Sequence, residues 1–145
     1  MLKADSEGGT LNEAGIFTML RVMLIQGEEL VLEELAALLH KIGGIEIVGQ
    51  YGNALRALET MESPAAPAID LVFLDIMMPG IDGLSAARYF KKRDERIEIV
   101  FVTAYPQFSI DAFELQALDY LLRPINRERL EKMLERVKYK WNKRQ

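Results

Sequence analysis

Apolar residues along this chain gather into short runs separated by amphipathic stretches. Thr18 to Ile25, Ile45 to Val48, Ile69 to Leu74, Glu98 to Val102 and Leu118 to Leu122 have strand length. Leu71-Val72-Phe73-Leu74 is apolar throughout, as a strand buried on both faces of a parallel sheet is. Ile45-Glu46-Ile47-Val48 has polar neighbours and fits an edge position. Between these runs the spacing turns helical. Leu32, Leu35, Leu39 and Ile42 make one stripe within Glu28–Ile42, which Gly43-Gly44 ends. Asn53 caps a short helix to Met61, with Ala54, Leu55, Leu58 and Met61 expected on its inner face. Further helices are predicted at Leu84–Lys92, within Tyr105–Leu115, and from the Asn126 cap to about Trp141, the last with a stripe of Leu130, Met133, Leu134, Val137 and Trp141.

The most informative stretch is Ile69 to Leu84. The run Leu71–Leu74 is bounded by Asp70 and Asp75, and Pro79-Gly80 and Asp82-Gly83 are strong turn signals. Asp75 is therefore expected at the carboxyl end of a central strand, where open α/β sheets bind ligands. A carboxylate there is either a capping or structural group, or a metal ligand or nucleophile. Two other strand ends bear on the choice. The fourth run ends at Thr103-Ala104 and the fifth at Arg123-Pro124. A carboxylate, a hydroxyl and a cation would then converge at one sheet edge, the parts needed to hold a phosphoryl group on a carboxylate.

On the segments LVFLDIMMPGIDGL, FVTAYPQFSIDAF and ALDYLLRPI, in this order and spacing, the chain closely resembles the response-regulator receiver domain of two-component signalling. The resemblance covers roughly residues 19–140. It implies a doubly wound, flavodoxin-like (βα)5 sandwich with parallel sheet order 2-1-3-4-5. It also implies that Asp75 is phosphorylated by a partner histidine kinase, that Thr103 and Arg123 bind the phosphoryl oxygens, and that Tyr120 is the switch aromatic. The plainer readings are a turn hydroxyl for Thr103 and a half-buried sheet aromatic for Tyr120. Small Ala104 leaves room for the incoming group, and a cis peptide is implied at Pro124. Arg123 stands where the family usually has Lys, a planar fork in place of a compact ammonium.

One departure from the family pattern touches the site directly. Receiver domains usually carry two adjacent acids after the first strand, which hold Mg²⁺ together with the acceptor aspartate. The matching positions here are Gln26 and Gly27, with Glu28 one place further. Magnesium prefers carboxylate oxygens in near-octahedral geometry. Asp75, the Met77 carbonyl and the Gln26 amide remain as ligands, and metal affinity is expected to drop sharply. Glu28 reads more simply as a first-turn helix residue placed by the macrodipole. The alternative to a phosphorylatable receiver is thus a pseudo-receiver, an interaction module that works without phosphorylation. A phosphatase using Asp75 as nucleophile is disfavoured because position 77 is Met, not a second Asp; no enzymatic activity is expected.

Composition sets outer limits. The 145 residues suit one domain, with residues 1–15 expected as a disordered polar extension and 16–145 as the receiver. Fifty per cent apolar content supplies a core, and a net charge of −4 gives no general case for nucleic-acid binding. There is no cysteine, which fits a reducing cytoplasm. No run reaches the ~20 residues of a membrane helix. The single histidine, His40, reads as a surface residue near a helix end, and Lys91, Lys92 and Arg93 as a solvated charged end. The final helix is basic but interleaved with Glu128, Glu131 and Glu135, which favours a solvated or dimer-contacting surface. The FELQALDYLLRPI wording resembles receivers that precede a DNA-binding output domain, so the chain reads as the N-terminal part of a transcriptional regulator.

Overall fold

The computed structural model describes residues 10–11 and 17–144. Five parallel strands, β1 (Leu20–Ile25), β2 (Ile45–Tyr51), β3 (Leu71–Leu74), β4 (Glu98–Thr103) and β5 (Asp119–Leu122), lie in the order 2-1-3-4-5. Helices α1 (Glu29–Ile42), α2 (Ala54–Glu62), α3 (Gly83–Arg93), α4 (Ser109–Glu114) and α5 (Arg127–Arg144) alternate with them. A 3-10 turn at Pro106–Phe108 leads into α4. This is the expected doubly wound sandwich.

Strand alternation divides the core in two. Leu20, Val22, Leu24, Leu71, Phe73, Val100 and Val102 face α1 and α5, meeting Leu35, Leu39, Leu130, Met133 and Val137. Met23, Ile25, Val72, Leu74, Ile99 and Phe101 face α2, α3 and α4, meeting Ala57, Met61, Ala87, Phe90 and Ala112. Each central strand is thereby covered on both sides, which is why β3 has no polar position. The small residues Ala86 and Ala87 bring α3 close to the sheet, and Phe90 fills the space one turn on.

The helix boundaries follow local chemistry. Asn53 accepts a hydrogen bond from the Arg56 N–H, and Asn126 accepts one from Arg129, each capping its helix as expected. Asp82 does the same for α3 through the Ser85 N–H. Helix α1 stops at Gly43, whose φ of +82° is a left-handed geometry glycine adopts without a Cβ penalty.

Several expectations need correction. The first strand begins at Leu20, because Phe17–Thr18 pairs instead with Thr10–Leu11 in a small antiparallel ribbon. The rest of the anticipated extension lies outside the described residues. Leu55 is 55% exposed. At 100° per residue it falls off the stripe set by Ala54, Ala57, Leu58 and Met61. The charged end of α3 is engaged, not merely solvated: Lys91 Nζ donates to the Glu95 carbonyl and lies 3.8 Å from Glu98, and Arg93 lies 3.9 Å from Glu62. Several α5 cations are likewise committed. Arg129 and Arg136 both bind Asp119, Lys140 binds Glu98 at 2.8 Å, and Lys138 donates to the Gly43 carbonyl. No described helix is long and apolar enough to cross a membrane.

Candidate functional site

Parallel register brings the strand ends to one rim. Ile25 pairs with Leu74, Leu74 with Phe101, and Thr103 with Leu122. Gln26, Asp75, Thr103 and Arg123 thus emerge side by side from four neighbouring strands. The backbone ties the rim together: Asp75 N–H donates to the Ile25 carbonyl at 2.9 Å, and Arg123 N–H to the Thr103 carbonyl at 2.9 Å. The Arg123–Pro124 peptide is cis.

Asp75 is buried, and its Oδ1 accepts from the Ile76 N–H at 2.8 Å. Arg123 Nη2 lies 3.8 Å from Oδ2. Burial pushes the Asp75 carboxyl above the ordinary aspartate range. The Arg123 charge, the Ile76 N–H, the Thr103 hydroxyl and the Met77 N–H oppose that rise without cancelling it. Helix α3 begins almost on top of the acid. A Cβ built on Gly83 would stand 2.0 Å from the Asp75 carbonyl oxygen, so only glycine lets the helix start there.

Thr103 is fully buried, and its Oγ1 accepts from the Tyr105 N–H at 3.3 Å. The turn-hydroxyl reading is therefore realised, and the same hydroxyl acts on Asp75. The Tyr120 ring is half-buried, with its hydroxyl donating to the Tyr105 carbonyl and its face tilted against Phe101 at 6.1 Å. Ala104 is exposed and lines, with Val31, Arg123 and Pro124, a hollow at the rim. His40 is exposed near the end of α1, away from these strand ends.

Glu28 sits differently from the helix-turn role expected of it. It stands at the N-cap position of α1 without a capping bond, and its carboxylate accepts from Arg123 Nη1 at 3.0 Å. One guanidinium therefore faces two carboxylates. Periodicity carries no signal for a pairing across 95 positions of sequence. Gln26 holds the second feature that spacing did not reveal. Its side chain is fully buried, yet among the described residues neither amide atom finds a hydrogen-bond partner, and neither does Arg123 Nε.

These residues suit a divalent cation poorly. Among the described residues Asp75 is the one buried carboxylate at this rim, Glu28 is turned to Arg123, Met77 offers a carbonyl and Gln26 a neutral amide, while a hard ion of this kind favours several carboxylate oxygens. Among the described residues no three His, Cys, Asp or Glu side chains form a metal-holding group.

The fold and the rim define a class: a doubly wound α/β domain whose distinctive polar groups gather at the carboxyl edge of its parallel sheet. The chain belongs to the response regulator receiver domain family, whose model matches residues 22–135. It is 43% identical over 119 residues to an uncharacterized response regulatory protein of Vibrio cholerae, covering 82% of this chain and 48% of that one. It is 40% identical over 125 residues to the transcriptional regulatory protein BtsR of Salmonella typhi, covering 86% and 51%. The chain thus spans about half the length of these curated relatives. Among solved structures, the response regulatory domain of MrkE from Klebsiella pneumoniae superposes with a TM-score of 0.79 at 31% identity, covering 86% of this chain and 99% of that one.

Proposed function

We propose that Asp75 accepts a phosphoryl group from a sensor histidine kinase, and that Thr103 and Arg123 bind its oxygens. The observation that carries this reading is the meeting of those three side chains, from three different strands, around one buried carboxyl group. Tyr120 reports the change: a Thr103 hydroxyl drawn toward a phosphoryl oxygen gives up its bond from the Tyr105 N–H, and Tyr105 is the residue that holds the Tyr120 hydroxyl. The output face comprises α4, β5 and α5, where Ile110, Phe113 and Leu122 are exposed, and it serves a homodimer or the regulatory part of a longer transcriptional regulator. The domain works in the cytoplasm and makes no direct nucleic-acid contact.

Incubation with acetyl phosphate and Mg²⁺, followed by intact-mass measurement, tests the assignment. Wild type gains one phosphoryl group and Asp75→Asn gains none. A wild-type mass that stays unchanged removes the reading.

A second reading, a phosphorylation-independent interaction module, is favoured by Gln26 and Gly27 at the positions of the family's acidic pair. Space permits the restoring variant, since a Cβ on Gly27 would meet only the Met78 side chain at 3.4 Å and the Met77 carbonyl at 3.8 Å. Mg²⁺ titration of Gln26→Asp with Gly27→Asp against wild type discriminates. Equal affinity in both would remove the argument for this module.

A further inference from the structure

We propose that the Asp75 site takes its phosphoryl group without a divalent cation, using the Arg123 guanidinium as counter-charge and the Gln26 amide as a neutral donor to the phosphoryl oxygens. The inference rests on the reading of Asp75 as acceptor and names the chemistry that reading uses.

The first support is the pair of unused donors. A buried amide with no partner costs on the order of 1–3 kcal/mol, so proteins rarely keep one without a use. Gln26 follows β1 where Asp75 follows β3, and the Ile25–Leu74 pairing makes the two neighbours. An oxyanion on Asp75 supplies the acceptor that the Gln26 Nε2–H lacks. Arg123 Nε–H is the second unused donor, and with a terminal nitrogen it forms the flat fork that grips two oxygens of one phosphoryl group.

Charge is the second support. At rest Arg123 faces two carboxylates, Asp75 and Glu28, for a local sum of −1. An aspartyl phosphate carries −2. If Glu28, whose side chain is 66% exposed, swings to solvent as the phosphoryl oxygens take its place, Arg123 brings the sum back to −1. The site has the same charge before and after transfer, and no metal is needed to balance it. A divalent ion would instead find one buried carboxylate and an adjacent guanidinium that repels it.

The step itself balances. With acetyl phosphate, an Asp75 carboxylate oxygen attacks phosphorus, a new P–O bond forms, the P–O bond to the acetyl group breaks, and acetate leaves with the electron pair. No proton is consumed and no oxidant or reductant takes part.

The test compares phosphorylation by acetyl phosphate in Mg²⁺ and in excess EDTA, read by intact mass. Comparable wild-type labelling in the two conditions is expected. Gln26→Leu, an apolar replacement of similar shape that removes the unpaired amide, should melt no lower than wild type and lose roughly five- to tenfold of the labelling rate in EDTA. Labelling that collapses when EDTA replaces Mg²⁺ overturns the metal-free site and leaves Asp75 as acceptor. Labelling in neither condition removes the acceptor reading as well. An EDTA rate that Gln26→Leu leaves unchanged overturns the role given to the amide.

Discussion

Gly83 lies directly over Asp75: a single methyl group on the glycine would come within 2.0 Å of the aspartate carbonyl oxygen. The Gly83 N–H also donates to the Ile76 carbonyl at 2.8 Å, fastening the first turn of α3 to the loop that follows β3. Gly83→Ala must therefore push the helix off the strand end. Overpacking of this kind costs typically about 1–3 kcal/mol. Thermal or denaturant melts should show that loss, whereas Gly52→Ala, with no atom within 4 Å of the added group, should melt close to wild type.

Tyr120 and the loop after β4 are joined through one hydroxyl. Tyr120→Phe keeps the ring against Phe101 and removes the hydroxyl, with its bond to the Tyr105 carbonyl and its contact with the Phe108 backbone. The expected cost is about 0.5–1.5 kcal/mol. Amide exchange at Tyr105, whose N–H is held by Thr103 Oγ1, should quicken while exchange in β1 and β3 stays unchanged.

Asp119 provides the pH dependence. Burial would raise its carboxyl, but hydrogen bonding from Arg129 and the Tyr120 N–H, with the charges of Arg129 and Arg136, outweighs burial and holds it below the ordinary value of 3.8. A group depressed on folding stabilises the fold above its unfolded value and loses that contribution as pH falls through the folded one. Wild type should thus lose stability in acid below the usual aspartate range. Asp119→Asn should be less stable at neutral pH and should lack that part of the acid dependence, measured as melting temperature against pH.

On the proposed output face, Phe113 is 82% exposed and Ile110 71%. Phe113→Ser should weaken self-association of the phosphorylated protein in sedimentation velocity while leaving the unfolding free energy within about 0.5 kcal/mol of wild type. Undiminished self-association would move the dimer contact elsewhere.

Much of this architecture was legible from the chain because its signals are local or periodic. The all-apolar β3, the turn signals at Pro79-Gly80 and Asp82-Gly83, and the Asn53 and Asn126 caps each announce themselves within a few residues. Asp75, Thr103 and Arg123 were legible as a set because three strand ends in a parallel sheet share an edge. What escaped are relationships across the fold. Glu28 meets Arg123 across 95 residues, and Arg21 grips Asp70 with its backbone N–H and guanidinium across 49. Leu55 was legible but misassigned, since the 100° step from Ala54 already carries it off the stripe of Ala57, Leu58 and Met61. The unpaired Gln26 amide is the hardest case, since nothing short of three dimensions shows that a polar side chain has been closed in without company.

Helix α5 is moored at three heights. Arg129 and Arg136 hold Asp119 at the start of β5, Lys138 reaches the carbonyl that ends α1, and Lys140 reaches Glu98 at the start of β4. Its 18 residues give a rod about 27 Å long. Fastened to two strands and to the end of α1, the rod is braced along its length, so its later turns are guarded against the fraying that loosens a helix anchored at one end alone.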